Sequence, residues 1–469
     1  MPPLATPQCG QGHQFIIRPR ASFLATFQLF PLFLTGLARG LLSPLQANPL
    51  TPHPKHPMKL RIKTPTLALH ASAVLLAALP QVYADSAKEA IKTPTPEPRF
   101  KLYGWLEGGM TVNPAGPADN QNFGRLFDDR SNEPLLNQFS LTAERTLDSA
   151  ATGFDWGFKT QVMFGSDSRF THSVGILDHV SNDRYQPDLV EAYLNLHCPV
   201  LSDGGVDFKI GKVVSLEGAE TVDPRTNVFY SHSYIFNFAI PLTYTGVQAD
   251  WHVTKTLDIY AGITRGVNTS IEDNNDSVAF QGGFGLNLLD GKFTLLAITH
   301  LGPETPNDNH DYRYLNAITA TWKISDKFTS ITDINSTYDE AASASCYGVA
   351  QYFTYQINDW LTAGVRAEVW RDDKGFYAVQ FANNTDPMHL LRGDAGYVYD
   401  PRTVGGGKTT YGAITLGANI KVPVPKPAEG LVIRPEVRLD TALNGGSRPF
   451  NDSTDRSMLT LGLDAILTF

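Results

Sequence analysis

The chain has 469 residues, 42% hydrophobic and only 18% charged, with 39 glycines, 18 tyrosines and 26 phenylalanines. About 25% charged residues is usual for a soluble protein. The formal net charge is −9 and no basic cluster is present, which argues against nucleic acid as a partner.

The first 84 residues hold seven Lys and Arg and no Asp or Glu. From Met58 the text runs "MKLRIKTPTLALHASAVLLAALPQVYADS": a basic start, an apolar run, and Val82-Tyr83-Ala84 as a small-x-small cleavage site. The run is shorter than the roughly 20 residues that span a bilayer. A secretory signal over 58–84 is therefore expected rather than an anchor. Residues 1–57, Pro-rich with the apolar patch "FLATFQLFPLFLTGLA", are expected to be a spurious or disordered extension, with Met58 as the true start. A membrane tether is the competing reading. Cleavage after Ala84 leaves 31 basic against 47 acidic residues, a net −16. Such a charge is compatible with cations in a pore or between loops. Residues 85–98 are a polar leader without pattern.

Beyond residue 98 the hydrophobic period is two. In "FDWGFKTQVMF", Phe154, Trp156, Phe158, Val162 and Phe164 share one face, and Asp155, Lys159 and Gln161 the other. In "LVIRPEVRLD", Leu431, Ile433, Val437 and Leu439 alternate with Arg434, Glu436, Arg438 and Asp440. The pattern predicts sixteen strands: 99–112, 134–147, 152–165, 187–198, 204–213, 241–253, 255–266, 277–289, 291–302, 312–324, 327–338, 345–357, 360–372, 409–422, 429–441 and 456–469. Their connections alternate in length. "VTK", "LDGK", "SDK" and "ND" are short, and Asp290-Gly291 is a favoured hairpin turn. The stretches 114–133, 166–186, 302–311 and 373–408 are long and polar. Tight periplasmic turns and long outer loops predict a closed antiparallel transmembrane barrel over 99–469, in a Gram-negative outer membrane. A soluble sandwich would leave sheet edges exposed.

An Arg or Lys facing lipid at mid-bilayer costs about 2–4 kcal/mol. The polar face is therefore expected to line a water-filled lumen, with Asp155, Lys159, Arg366, Glu368, Arg434, Glu436, Arg438 and Asp440 on it. They serve there as wall salt bridges or as the field that permeating ions cross. The connection 214–240 is long yet too apolar to lie outside. It is expected to narrow the bore, with Glu217, Glu220, Arg225, Tyr230 and Tyr234 as constriction candidates. A strand pair at 228–239, raising the count to eighteen, is the alternative. Cys198 and Cys346 fall at opposite ends of the wall, so no disulfide is expected.

Passive diffusion of small polar solutes or ions is the expected activity. Two alternatives differ in class. A barrel hydrolase needs a nucleophile and a base, and "SHSY" offers Ser231, His232 and Ser233, but neighbouring residues of a strand point to opposite faces. An adhesin or structural barrel would work through its outer loops. There "EDNND" at 272–276 and "DDRSNE" at 128–133 read as solvated loop before Ca²⁺ sites shared with lipopolysaccharide. No catalytic residue, cofactor or metal site is expected.

Several stretches carry a resemblance: "LYGWLEGG" at 102–109, "FYSHSYIFNFAIPLTYTGV" at 229–247, "GVRAEVWRDDKGF" at 364–376, "TLGANIKV" followed by "IRPEVRLD" at 433–440, and the terminal "DAILTF". Together they resemble the β-barrel porin-2 (OmpL-like) family across nearly all of 99–469. The resemblance implies an outer-membrane barrel with pore activity and no defined substrate, with Arg366, Glu368, Arg434, Glu436 and Arg438 as wall charges. The residues before Met58 depart from the family pattern. The last strand, apolar on alternate positions and ending in Phe469, looks like the signal read by the outer-membrane assembly machinery. A homotrimer is the analogy drawn from sixteen-stranded porins.

Overall fold

The computed structural model describes residues 99–179, 183–381, 384–394 and 407–469. The expected extension, signal peptide and leader lie outside the described residues. Sixteen antiparallel strands form one closed sheet: β1 (Phe100–Val112), β2 (Pro134–Arg145), β3 (Asp155–Gly165), β4 (Gln186–Cys198), β5 (Val206–Val214), β6 (Thr243–His252), β7 (Leu257–Thr264), β8 (Ala279–Leu288), β9 (Phe293–Pro303), β10 (Tyr312–Lys323), β11 (Phe328–Asp339), β12 (Ala344–Gln356), β13 (Leu361–Asp372), β14 (Thr409–Val422), β15 (Gly430–Ala442) and β16 (Ser457–Thr468). Each strand pairs with its chain neighbours, and β16 returns to β1 with Leu106 opposite Leu467 and Gly109 opposite Asp464. Phe469 and Gly104 exchange both backbone hydrogen bonds, at 2.8 and 3.0 Å, so the last residue is part of the seam. Closure leaves no strand edge unpaired.

The two-residue period sorts side chains as a bilayer requires. On β16, Leu459, Leu461 and Leu463 are exposed on the outer wall, while Thr460 and Asp464 are buried inward. Seven connections on one rim are short, and the turn at Leu289–Gly291 holds three successive positive φ angles, which Asp290-Gly291 accommodates. The other rim carries the long loops, with one exception: β11 and β12 are joined there by residues 340–343 alone.

The third outer connection, 215–242, departs from the eighteen-strand alternative. It forms a 3₁₀ turn at Pro224–Thr226 and a short helix, α1, at Tyr234–Phe238, and no strand. Asp223 caps the turn and Ser233 caps α1, each through a side-chain oxygen that accepts a backbone N–H. The Arg434 and Arg438 side chains point into the enclosed space, not to lipid. Cys198 and Cys346 are both free, at opposite ends of the wall.

Candidate constriction site

A segment that leaves the wall and folds inside a barrel carries N–H and C=O groups with no ladder to join. Buried, each needs a partner. For 215–242 the partners are the inward charges of the wall. Glu436 accepts the N–H groups of Tyr230 and Ser231 at 3.0 and 3.2 Å, and Glu368 accepts that of Tyr234 at 2.8 Å. Arg366 donates to the Ser231 carbonyl at 2.7 Å, and Arg438 to that of His232 at 2.5 Å. Arg434 donates to the carbonyls of Pro224 and Asn227, at 2.9 and 3.1 Å. Charged donors and acceptors make the stronger class of hydrogen bond.

These charges also neutralise one another. Arg366 meets Glu220 at 2.6 Å, Arg434 meets Asp464 and Glu107, and Arg438 meets Asp440 and Glu368. Arg125, from the first outer loop, reaches Asp440 at 2.6 Å. All five clamp residues, Arg366, Glu368, Arg434, Glu436 and Arg438, and Asp440 beside them, are buried beneath the segment. The other two charges expected on the lumen face, Asp155 and Lys159, lie nearer the periplasmic rim. Asp155 accepts from Arg99, Arg145 and the Asp148 N–H, and Lys159 pairs with Glu191 and stays about a quarter exposed.

Each constriction candidate has a definite place. Glu217 accepts from the Tyr244 hydroxyl and the Gln281 amide, at 2.9 and 3.1 Å, at the neck of the loop. Glu220 accepts from Arg366 and from the Ser233 N–H. Burial would raise its carboxyl, but the Arg366 guanidinium together with His232 and the hydrogen bonds from Ser233 outweighs burial and holds it below the ordinary carboxylate range. Arg225 is 29% exposed, paired with Asp223 and laid over the Trp105 ring at 4.1 Å. Tyr230 donates to Asn137 at 3.1 Å, and Tyr234 donates to Asp440 at 3.0 Å while stacking on Tyr411. Among the five, Arg225 alone keeps substantial contact with solvent.

Ser231, His232 and Ser233 sit in this loop, not in a strand. Both hydroxyls are engaged elsewhere: Ser231 accepts from Arg366 and Ser233 caps α1. The His232 ring stacks on Phe236, and burial pushes it down to about 4 against the pull of Glu220 and Asp128. The acids of 128–133 are likewise committed: Asp128 to Arg125, and Asp129 to Arg169.

The sequence reading missed the seats that make this docking possible. The Phe229 ring lies against inward glycines of β13 and β14, where a Cβ on Gly364 or Gly417 would stand about 3 Å from it. A Cβ on Gly109 would meet the Tyr230 ring at 2.5 Å. It also missed Glu107, Asn137, Gln138 and Asp464, whose partners are far away in the chain. The available signal was a set of glycines on a face otherwise polar. Above the loop, Leu126, Phe127, Phe170, Phe236, Val379 and Phe381 pack as an apolar cluster within the outer loops. Beside it lies a cavity of about 510 Å³, lined by α1, the 304–306 turn and residues within 376–381 and 390–391.

Among solved structures, the chain is similar to the outer membrane channel DcaP of Acinetobacter baumannii (13% identity, TM-score 0.48, 79% of this chain and 97% of that one). It is also similar to an anion-selective porin from Comamonas acidovorans (7%, 0.49, 79% and 99%) and to OprB of Pseudomonas putida (11%, 0.48, 79% and 94%). No curated protein matches it significantly. The family model described as "Putative beta-barrel porin-2, OmpL-like" matches residues 99–469, and the chain belongs to that family of outer-membrane porins.

Proposed function

We propose that the barrel passes small polar solutes or ions by passive diffusion, without catalysis, through a bore narrowed by residues 215–242. One observation carries the reading: the segment crosses the interior with its backbone fastened to Glu368, Glu436, Arg366, Arg434 and Arg438. In this reading, Glu217, Glu220, Tyr230 and Tyr234 place the constriction and Arg225 faces the solute. The buried wall charges fix the bore's size, and the exposed ones, Lys159 and Arg225, set its field. Phe469 presents the seam strand to the assembly machinery, and three barrels associate in a membrane with lipopolysaccharide outside.

The test is single-channel recording of refolded protein in planar bilayers. Steady ohmic steps are expected, and deleting 222–236 raises their size. A silent, correctly folded barrel contradicts pore function. Unchanged steps after the deletion place the narrowing elsewhere.

A further inference from the structure

The periplasmic ends of β6 and β7 carry a side-chain cluster that neither the loop nor the wall charges involve. Asp250 and His252 are two apart on β6 and share a face, and the sheet register sets His252 directly opposite Asp258 of β7. A ligating atom from each lies within 4.8 Å of the other two. His252 Nδ1 is 2.8 Å from Asp258 Oδ1 and 3.9 Å from Asp250 Oδ1. We propose that these three side chains bind one divalent transition-metal ion of the Zn²⁺ type.

Three further observations point the same way. First, the other imidazole nitrogen is already engaged: His252 Nε2 is 3.3 Å from Asp207 Oδ2. Nδ1 now donates to Asp258 at 2.8 Å; an ion taking that nitrogen would displace its proton and leave the remaining one on Nε2, facing Asp207. A metal-binding histidine almost always has such a carboxylate behind it. Asp207 is itself held, by His197 Nδ1 at 2.6 Å and by the Ser149 hydroxyl at 2.5 Å. Second, Asp250 Oδ1 is a buried acceptor atom without a hydrogen-bond partner among the described residues. An ion would satisfy it. Third, the charges match, because two carboxylates and a neutral imidazole balance a dication.

Donor chemistry selects the ion. One nitrogen and two oxygens suit Zn²⁺ and its transition-metal neighbours, whereas Ca²⁺ requires six to eight oxygens. With bonds of about 2.1 Å, ligating atoms of a tetrahedral site stand about 3.4 Å apart. The observed 2.8 and 3.9 Å bracket that edge, so small rotamer changes complete the site. Three protein ligands leave a fourth position for water. The side chains are between a quarter and a third exposed, which gives the ion a route in. A strand pair fixed by ladder hydrogen bonds presets the geometry.

The inference does not depend on conduction, and neither does its test. Isothermal titration of the full refolded chain in detergent, with ZnCl₂ and separately with CaCl₂, reads binding directly. Wild type should take up one more equivalent of Zn²⁺ than the Asp250→Asn/Asp258→Asn variant, and no Ca²⁺ at that site. Asp207→Asn keeps all three ligands, so its stoichiometry should hold while affinity falls about 10- to 100-fold. A heat-modifiable gel shift certifies that each barrel is folded. Equal Zn²⁺ uptake by wild type and the double variant would overturn the site. Ca²⁺ binding as tight as Zn²⁺ would overturn the ligand class, and an unchanged Asp207→Asn affinity would remove Asp207 from it.

Discussion

Replacing Arg366 with Met tests whether the wall charges hold the loop. The guanidinium is fully buried and joins two structures at once. It donates to Glu220 at 2.6 Å and to the Ser231 carbonyl and hydroxyl at 2.7 and 3.1 Å, all on the loop, and to Thr415 of β14 at 3.2 Å. Met fills much of the same volume but leaves the Glu220 carboxylate without its cation. Removing one partner of a buried pair costs about 3–5 kcal/mol. About 1.4 kcal/mol is a factor of ten, so the ratio of docked to free loop falls by about two to four orders of magnitude. The strand ladders are untouched, so the cost falls on the loop and not on the barrel. Single-channel records of Arg366→Met should therefore show larger, noisier steps, with heat-modifiable mobility as in wild type. Adding Glu220→Gln removes the stranded charge and should recover part of the quiet, small step. Wild-type steps and noise in a folded Arg366→Met barrel would refute the clamp.

Acid should loosen the same loop. His232 is neutral when docked, with its pKa lowered from 6.5 to about 4, first by burial and then by Arg366 and Arg434, against Glu220 and Asp128. A free loop accepts a proton that the docked loop refuses, so docking is strongest above about pH 6.5. It weakens as pH falls toward 4, by about 3 kcal/mol at most. Glu220, held below its ordinary range, keeps its charge over that window. Conductance recorded from pH 7 to 4 should grow noisier, and His232→Gln should flatten the profile; a flat wild-type profile contradicts the mechanism. Gly364→Val probes the seat, since the nearest atoms to its Cβ would be those of Val228 and Phe229 on the loop, at 2.8 and 3.1 Å. Overpacking of about 1–3 kcal/mol should lift the loop and enlarge the step. Lys159→Gln should shift ion preference in 0.1 M KCl and lose its effect near 1 M, where the screening length is about 3 Å. An effect that survives high salt would mean that Lys159 acts through structure.

The strands were legible because one simple rule, alternate exposure to lipid, repeats sixteen times. Thr409–Val422 falls on the expected 409–422, and most other bounds differ by one or two residues. The largest shift is at β3, expected from 152, where the ladder begins only at Asp155 and leaves the apolar Phe154 outside it. The inward loop was legible from its composition: the connection 214–240 is too apolar for an outer surface. Its form was not. "VFYSHSYIFNFAI" alternates well enough to read as strand, yet Ser233 caps a helix that the neighbouring wall accommodates. The first outer loop was read as wholly outside, because Phe123, Arg125, Leu126 and Phe127 are set among polar residues. All four are buried in the mouth of the barrel.

The deeper ambiguity lies in the polar face itself. Alternation reveals that a side chain avoids lipid, and a water-filled lumen and an unpaired stretch of backbone demand the same polar residues. Glu436 and Lys159 therefore read alike in the sequence. They differ in what faces them. Glu436 meets the N–H groups of Tyr230 and Ser231, while Lys159 meets Glu191 and solvent. Hydrophobic packing could not do the work of Glu436, because a buried N–H left unpaired costs about 1–3 kcal/mol. Without the loop the clamp charges would be hydrated and their mutual pairing weak. The loop thus requires the wall charges, and in turn it buries and orders them. A substitution in the buried set acts through where the loop sits, and one in the exposed set through the field a solute crosses.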